Sequence, residues 1–132
     1  MSGRFLDTNV LVYLASADAR KAGIAERLLA EGGTVSVQVL NELANVARRK
    51  MRLDWAETAE LLAAVRTFVS VEPVTLETHE LGLALAERHG LAVYDAMILA
   101  AGLLAGCDTL LSEDMQDGFV AARRMRVANP FA

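Results

Sequence analysis

Short apolar segments with the character of strands alternate with longer helical segments, and this alternation limits the possible folds more than any other feature. The strand-like segments are "RFLD", "TVSV", "SVEPV" and "DTLLS", with "RVANP" as a last edge strand. Strands that alternate with helices form βαβ units, which build a parallel sheet with helices on both faces. A length of 132 residues fits one domain, residues 1–132. We therefore predict a single α/β domain.

Capping residues mark where several helices begin and end. Asp18 is a predicted N-cap, and the Gly32–Gly33 pair stops the helix that follows it. Asp54 and Glu57 have the spacing of a capping box. Gly90 is placed to end another helix in the left-handed conformation. These signals support the helical segments between the predicted strands.

Composition narrows the environment in which the chain works. A single cysteine, Cys107, allows no disulfide within the chain and fits a reducing cytoplasm. The apolar run over residues 96–107 is too short to span a bilayer, and the first residues lack the apolar core of a secretory leader. The net charge of −4 argues against a general nucleic-acid coat protein. We expect a cytoplasmic protein without a membrane partner.

Four acidic residues fall where parallel strands end or where the following helices begin. They are Asp7, Glu42, Asp95 and Asp114. In a parallel sheet, ligands bind beyond the carboxyl ends of the strands, near the point where strand order reverses. If the sheet is parallel, all four carboxylates can face that one edge.

Each acid also has a purely structural interpretation. Asp7 and Asp95 are plausible N-caps, and Asp114 fits an ordinary acidic turn. Glu42 shares a polar helical stripe with Gln38, Asn45 and Arg49, a pattern typical of a solvated face. Taken one at a time, these readings account for each residue.

Convergence of the four carboxylates would change that balance. Gathered acids repel one another and are stabilised by a hard divalent cation, and Mg²⁺ or Mn²⁺ prefers oxygen ligands. Such an ion polarises a phosphoryl group and lowers the pKa of a bound water. The acids therefore predict a metal site suited to phosphodiester hydrolysis.

At four places the sequence resembles the PIN domain family, and within it the VapC-type ribonuclease toxins. The segments that carry the resemblance are "FLDTNVLVYL", "SVQVLNEL", "YDAMILAA" and "LLSEDMQDG". They occur in this order from Phe5 to Gly118, so that the resemblance extends over nearly the whole chain. The resemblance implies a three-layer α/β/α sandwich with a central parallel sheet, and cleavage of RNA with Mg²⁺ or Mn²⁺.

The resemblance also assigns roles to individual residues. It implies that Asp7, Asp95 and Asp114 hold the ion directly or through water, and that Glu42 binds a water or a second ion and helps to deprotonate the nucleophile. Hydrolysis would leave a 5′-phosphate and a 3′-hydroxyl. The supporting polar residues are Thr8, Asn9, Ser112 and Asp117, with Ser112 where the family often has Thr.

The fourth acidic position has three candidates, because Glu113 and Asp117 lie close to Asp114. Strand-like alternation would put Ser112 and Asp114 on one face and Glu113 on the other. Asp117 is either an extra ligand, a residue behind the ligands, or the acidic end of a turn. The sequence leaves this choice open.

Partners are predicted with less support from the residues themselves. The basic run Arg48, Arg49, Lys50 and Arg52 fits an RNA-phosphate rim, or a solvated helix end that complements the helix dipole. The apolar stripe at Trp55, Leu61, Leu62, Val65 and Phe68 is explained mostly by core packing, and otherwise by a groove for a partner helix. The resemblance implies an antitoxin partner and a homodimer.

Two other functions compete with the nuclease. A receiver-type signalling domain also binds Mg²⁺ on a parallel sheet, but it needs an acidic pair after the first strand, where Asp7-Thr8-Asn9 stands, and a lysine near the end of the chain. The third possibility is a non-catalytic binding module on the PIN scaffold. The only evidence in the sequence against it is that all four acidic residues are present. Fold alone does not decide between these functions.

Overall fold

The structure is a computed structural model that describes residues 3–132. The strands are β1 (Gly3–Leu6), β2 (Gly33–Ser36), β3 (Val69–Glu72), β4 (Cys107–Leu111), β5 (Val120–Ala121) and β6 (Met125–Ala128). The helices are α1 (Thr8–Val12), α2 (Ala19–Glu31), α3 (Val37–Arg49), α4 (Trp55–Phe68), α5 (Leu76–His89) and α6 (Val93–Leu104). A 3₁₀ turn at Tyr13–Ala15 extends α1.

The six strands form one sheet in the order β3-β2-β1-β4-β6-β5. Every pair is parallel except β5 with β6, which is antiparallel. In the centre, Leu6 of β1 is opposite Leu111 of β4. Both side chains are buried, as a sheet covered on both faces requires. The predicted α/β fold with a central parallel sheet between helical layers is confirmed, with one antiparallel strand added.

The last strands differ from the sequence-based prediction. The segment "RVANP" was predicted as an edge strand, but β6 lies between β4 and β5, and β5 forms the edge. Ala122 and Arg123 have positive φ angles of 51° and 57° and turn the chain back on itself. The two-residue β5 then pairs with the outer side of β6. The hydrophobic periodicity of the sequence does not predict this pairing, because β5 is too short to show a pattern.

The helix boundaries follow the capping chemistry closely. Asp18 and Asp54 cap α2 and α4, the latter with Glu57 in a capping box, and Gly90 ends α5 with a φ of 66°. Val37, which was predicted to end a strand, instead begins α3. The reason is that the Ser36 hydroxyl accepts a hydrogen bond from the Val39 amide and caps the helix one residue earlier.

Helix α6 supplies the centre of one helical layer. Its residues from Ala96 to Leu103 are all buried, because α6 packs on the sheet and against α5. Gly82 of α5 makes this close approach possible, since an added Cβ would collide with the side chain of Met97. Within residues 3–132, no helix combines the length and apolar character needed to span a membrane.

Strand order places a crevice between β1 and β4. After β1 the chain moves outward through β2 to β3, and it then returns to add β4 on the other side of β1. The connections that leave β1 and β4 therefore separate at the carboxyl edge of the sheet. An open crevice at such a reversal is the usual ligand site of α/β sheets.

Candidate active site at the carboxyl edge of the sheet

Asp7 lies at the crevice because it is the first residue after β1. It caps α1, and its Oδ1 accepts a hydrogen bond of 2.7 Å from the Thr8 amide. The Asp7 amide continues the sheet by donating to the carbonyl oxygen of Leu111 at 3.0 Å. The backbone is thus tied on both sides, and only 6% of the residue is exposed. Asp7 is both a cap and a fixed, buried carboxylate.

Ser112 joins the end of β4 to this carboxylate. Its hydroxyl donates to Asp7 Oδ2 at 2.8 Å, and it accepts hydrogen bonds from the amide of Asp114 and the side chain of Asn9. Asn9 donates to the same Asp7 oxygen at 3.1 Å and accepts from the Glu113 amide at 2.9 Å. Asn9 and Ser112 therefore hold Asp7 and the segment that carries Asp114 together.

Glu42 reaches the crevice from the second turn of α3. Its Oε1 accepts a hydrogen bond of 2.6 Å from the Thr8 hydroxyl, and its Oε2 lies 3.4 Å from Gln38 Nε2. Thr8 is itself buried. The carboxylate is therefore held beside the first turn of α1 instead of being free in solvent.

Asp95 and Asp114 complete the acidic group from the other side of the crevice. Asp95 lies in the first turn of α6 and is half-buried, whereas Asp114 follows β4 and is exposed. The interpretation of Asp95 as an N-cap is wrong, since Ala92 occupies that position and no side chain caps the helix. Its carboxylate is consequently available for another role.

One cavity of about 510 Å³ brings these acids together. Its lining includes Asp7, Glu42, Asp95 and Asp114, together with Thr8 and Asn9. The four acids come from four different elements of the fold. Their convergence, on which the sequence-based hypothesis depended, is therefore a property of the structure.

Burial and the neighbouring negative charges both raise the pKa values of Asp7 and Asp95. Burial raises the pKa of Asp7 from 3.8 to about 6, hydrogen bonds from Ser112 and Thr8 oppose the rise, and Glu42 and Asp95 add to it. Burial also raises the pKa of Asp95, with further contributions from Asp114 and Glu42. The carboxylates thus repel one another, and a cation between them would relieve that repulsion.

The donor set fits a divalent cation without forming a closed cage. All four side chains offer carboxylate oxygens, the ligands that Mg²⁺ and Mn²⁺ prefer. Across residues 3–132, no three acidic, histidine or cysteine side chains are gathered tightly enough to hold an ion as they stand. This is compatible with an ion such as Mg²⁺, which keeps several waters and needs only one or two direct carboxylate contacts.

The remaining predicted residues divide between the cavity and its surroundings. Lys50 lines the cavity. Arg48 donates to the Leu53 carbonyl at 2.7 Å and stacks over the Trp55 ring, while Arg49 and Arg52 are exposed. Asp117 is outside the lining, and its Oδ1 accepts a hydrogen bond from the Asn129 amide at 3.1 Å.

A second polar cluster borders the acids and was missed by sequence reasoning. Glu113 accepts hydrogen bonds from the Tyr13 hydroxyl at 2.5 Å and from Lys21 Nζ at 2.7 Å, and Tyr13 and Glu113 also line the cavity. Lys21 hydrogen-bonds and attracts Glu113, which lowers the pKa of that carboxyl. Alternation failed for Glu113 because β4 ends at Leu111, before the residues concerned. The 3₁₀ turn and α2 lie about 90 to 100 residues away, so local spacing carries no signal.

Comparison with known proteins gives a consistent pattern. The chain matches the model of the PIN domain over residues 4–122. VapC20 from Mycobacterium tuberculosis, a toxin that cleaves the sarcin–ricin loop, is similar in structure, with 27% sequence identity and a TM-score of 0.68. That match covers 84% of this chain and 89% of VapC20. No curated protein matches the chain in sequence.

Two further solved structures share the fold at lower identity. A toxin–antitoxin complex from Klebsiella pneumoniae has 21% identity and a TM-score of 0.71, and the match covers 96% of this chain and 97% of that one. VapBC2 from Rickettsia felis, bound to a promoter DNA fragment, has 21% identity and a TM-score of 0.61, with coverages of 84% and 87%. At this identity the likeness concerns the fold.

Proposed function

Because the chain belongs to the PIN domain family, we propose that it is a metal-dependent endoribonuclease and the toxin of a toxin–antitoxin pair. The observation that supports this most strongly is the single cavity that Asp7, Glu42, Asp95 and Asp114 line. Four carboxylates from four separate elements would be a costly arrangement without a cation to neutralise them.

Asp7, Asp95 and Asp114 are the proposed ligands, either directly or through water. A bound Mg²⁺ or Mn²⁺ would polarise the scissile phosphate and make an attacking water more acidic. Ser112 and Asn9 orient Asp7 by donating to its Oδ2. Such support behind a ligand fixes its geometry and so its affinity for the ion.

Glu42 is the proposed acceptor of the proton from the attacking water. The Thr8 hydroxyl donates to Oε1, which keeps the Glu42 carboxylate at the cavity, and the other oxygen, Oε2, would take the proton. Lys50 also lines the cavity, and it is the proposed partner of a neighbouring phosphate of the substrate. The products would carry a 5′-phosphate and a 3′-hydroxyl.

The substrate and partners follow from the proteins that the chain resembles. RNA is supported as substrate by VapC20, which cleaves the sarcin–ricin loop and is 27% identical. An antitoxin is supported by the toxin–antitoxin complexes from K. pneumoniae and R. felis. A homodimer and a cytoplasmic location complete the proposal. The single buried, unpaired cysteine, Cys107, is in keeping with a reducing compartment.

Cleavage of a labelled structured RNA tests the proposal directly. The protein is stripped of metal, and Mg²⁺ or Mn²⁺ is added back beside an Asp7→Asn/Asp95→Asn control prepared in the same way. We expect cleavage that requires metal and disappears in the control. Metal-independent cleavage that the control retains would contradict it. Absence of both cleavage and metal binding in well-folded, partner-free protein would favour the non-catalytic binding module.

A further inference from the structure

A second cavity, of about 520 Å³, adjoins the acidic one. The two share Glu42 and Asn45 in their walls, so a ligand in one lies next to a ligand in the other. We call the second one the amide cavity. Besides the shared residues, it is lined by Val37, Gln38, Asn41, Val74 and Tyr94.

The apolar part of the amide cavity is exposed to solvent. Tyr94 is 70% exposed, and Val37 and Val74 are 40% and 46% exposed. Tyr94 immediately precedes Asp95, so its ring is carried by the same first turn of α6 that carries an acidic residue of the site. The three side chains therefore offer an apolar surface, with one aromatic ring, beside the acidic site.

The polar part of the amide cavity is made of carboxamides. Gln38, Asn41 and Asn45 recur at the spacing of one face of α3, the face that also carries Glu42. Gln38 Nε2 donates to the Tyr94 carbonyl at 3.2 Å, which joins α3 to the start of α6. In the part of the chain that the structure describes, no protein group hydrogen-bonds to the side chains of Asn41 and Asn45.

We propose that the amide cavity binds one unpaired nucleobase of the RNA next to the scissile phosphate. The Tyr94 ring would stack on the base, and Asn41 and Asn45 would hydrogen-bond to its edge. This inference rests on the proposed nuclease function and adds a specificity site to it. Aromatic stacking combined with hydrogen bonds to base edges is the usual chemistry of single-strand RNA recognition.

A base fits these walls better than a partner protein does. Carboxamides present a donor and an acceptor side by side, which matches the edge of a base. Glu42 lines the amide cavity as well as the acidic one, so an occupant of the amide cavity would lie beside the reacting phosphate. A base within an A-form duplex is not accessible to such a site. The enzyme would accordingly cut at looped or single-stranded positions.

The test measures binding without cleavage. Fluorescence anisotropy of labelled single-stranded RNA is recorded in EDTA, with wild type, Tyr94→Ala, Tyr94→Phe and Asn41→Ala. Tyr94→Ala loses the stacking on one base, and its affinity for the RNA should be roughly tenfold lower than that of wild type. Tyr94→Phe keeps the ring, and its affinity should stay within about twofold of wild type. Asn41→Ala removes a proposed hydrogen bond to the base and should weaken binding severalfold. Asn41 lines the amide cavity and not the acidic one, so this variant leaves the acidic site intact.

A second RNA that carries abasic sites separates stacking from general electrostatic attraction. Wild type should bind it as weakly as Tyr94→Ala binds the normal RNA, and Tyr94→Ala should have no further effect on it. Equal losses on both RNAs would overturn the proposal. An unchanged RNA affinity with a shift in sedimentation would also overturn it, and would assign the face to a protein partner.

The same variants distinguish this proposal from the nuclease itself. If the wild-type protein shows no metal-dependent cleavage, the proposed nuclease function is refuted, but the binding measurement in EDTA still tests the nucleobase site. Normal cleavage with unchanged RNA binding and unchanged site preference in Tyr94→Ala would refute only the nucleobase site. Thermal unfolding of each variant shows that the fold is retained.

Discussion

Ser112 donates a 2.8 Å hydrogen bond from Oγ to Oδ2 of Asp7, linking two residues that are 105 positions apart in the chain. The bond crosses between the ends of β1 and β4, the neighbouring strands where the order of the sheet reverses. It is buried, and the same hydroxyl accepts from the Asp114 amide. One small side chain therefore couples two of the proposed ligands.

Replacing Ser112 tests that coupling. Ser112→Ala leaves a buried carboxylate with one donor fewer, and we expect a loss of about 1–3 kcal/mol in the free energy of unfolding, with weaker Mn²⁺ binding. Ser112→Thr keeps the hydroxyl and should restore most of the Mn²⁺ affinity. Urea unfolding and calorimetric titration measure the two effects. Equal Mn²⁺ affinity in Ser112→Ala and wild type would show that Asp7 is oriented without Ser112.

Replacing Asp7 should separate stability from activity. The pKa of Asp7 is raised from 3.8 to about 6, so the metal-free folded state binds more protons than the unfolded state between these values. Its stability therefore falls as the pH rises through that window. Asp7→Asn should remove this decline and stabilise the metal-free protein at about pH 7 by roughly 1–2 kcal/mol, after allowance for weaker hydrogen bonds.

Cleavage by Asp7→Asn should nevertheless be lost, since the charge at the proposed metal site is gone. Urea unfolding in EDTA across the pH range, together with RNA cleavage, measures both effects. Asp108→Asn is the matched control, because Asp108 is exposed at the other end of β4. It should change neither quantity. A metal-free Asp7→Asn protein less stable than wild type near neutral pH would contradict the assigned cost of burying a charged carboxylate at this position.

Metal should stabilise the wild-type fold. An ion that binds only the folded state adds about 2.7 kcal/mol at a concentration of 100 times its Kd. We expect the Tm to rise with Mn²⁺ or Mg²⁺ and to stay nearly constant in Asp7→Asn/Asp95→Asn. NaCl at matched ionic strength controls for screening. The same Tm rise in both proteins would place the metal elsewhere.

Two glycines in helices should respond in opposite ways to the same substitution. Gly82→Ala puts a methyl group into the side chain of Met97 where α5 meets α6. We expect the overpacking cost of about 1–3 kcal/mol to outweigh the gain of roughly 0.5–1 kcal/mol from replacing a helical glycine. Gly23 is exposed in α2 with nothing near its added Cβ, and Gly23→Ala should stabilise by roughly 0.5–1 kcal/mol. Urea unfolding of both variants checks this, and stabilisation in both would mean that α5 and α6 are less closely packed.

Local chemistry explains why much of the fold was predictable. Asp18, the Asp54–Glu57 pair and Gly90 act within one turn of the chain, so their effects can be read from spacing. Asp7 was predictable as well, because a buried strand ends directly before it. The Ser36 cap was missed, since Val37 continued an apolar pattern that suits a strand equally well.

Long-range contacts explain why the rest was not. The position of β6 inside the sheet depends on its pairing with β4, and Glu113 is placed by Tyr13 and Lys21, which are far away in sequence. The approach of the four acids could be expected from parallel strands, but only the structure shows the shared cavity. The amide cavity forms where α3 meets the start of α6, and it had no signature beyond a polar stripe.

The position of β4 in the sheet also bears on how the chain is made. During synthesis β1 emerges first, yet its partner on one side is a strand that begins at Cys107. Until the ribosome has released that segment and Ser112 behind it, Asp7 lacks the hydrogen bond from Ser112 and the crevice lacks one wall. If the chain is the nuclease proposed above, a nascent chain would leave the RNA around it uncut until nearly all of it had been translated, and early termination would yield an inactive fragment.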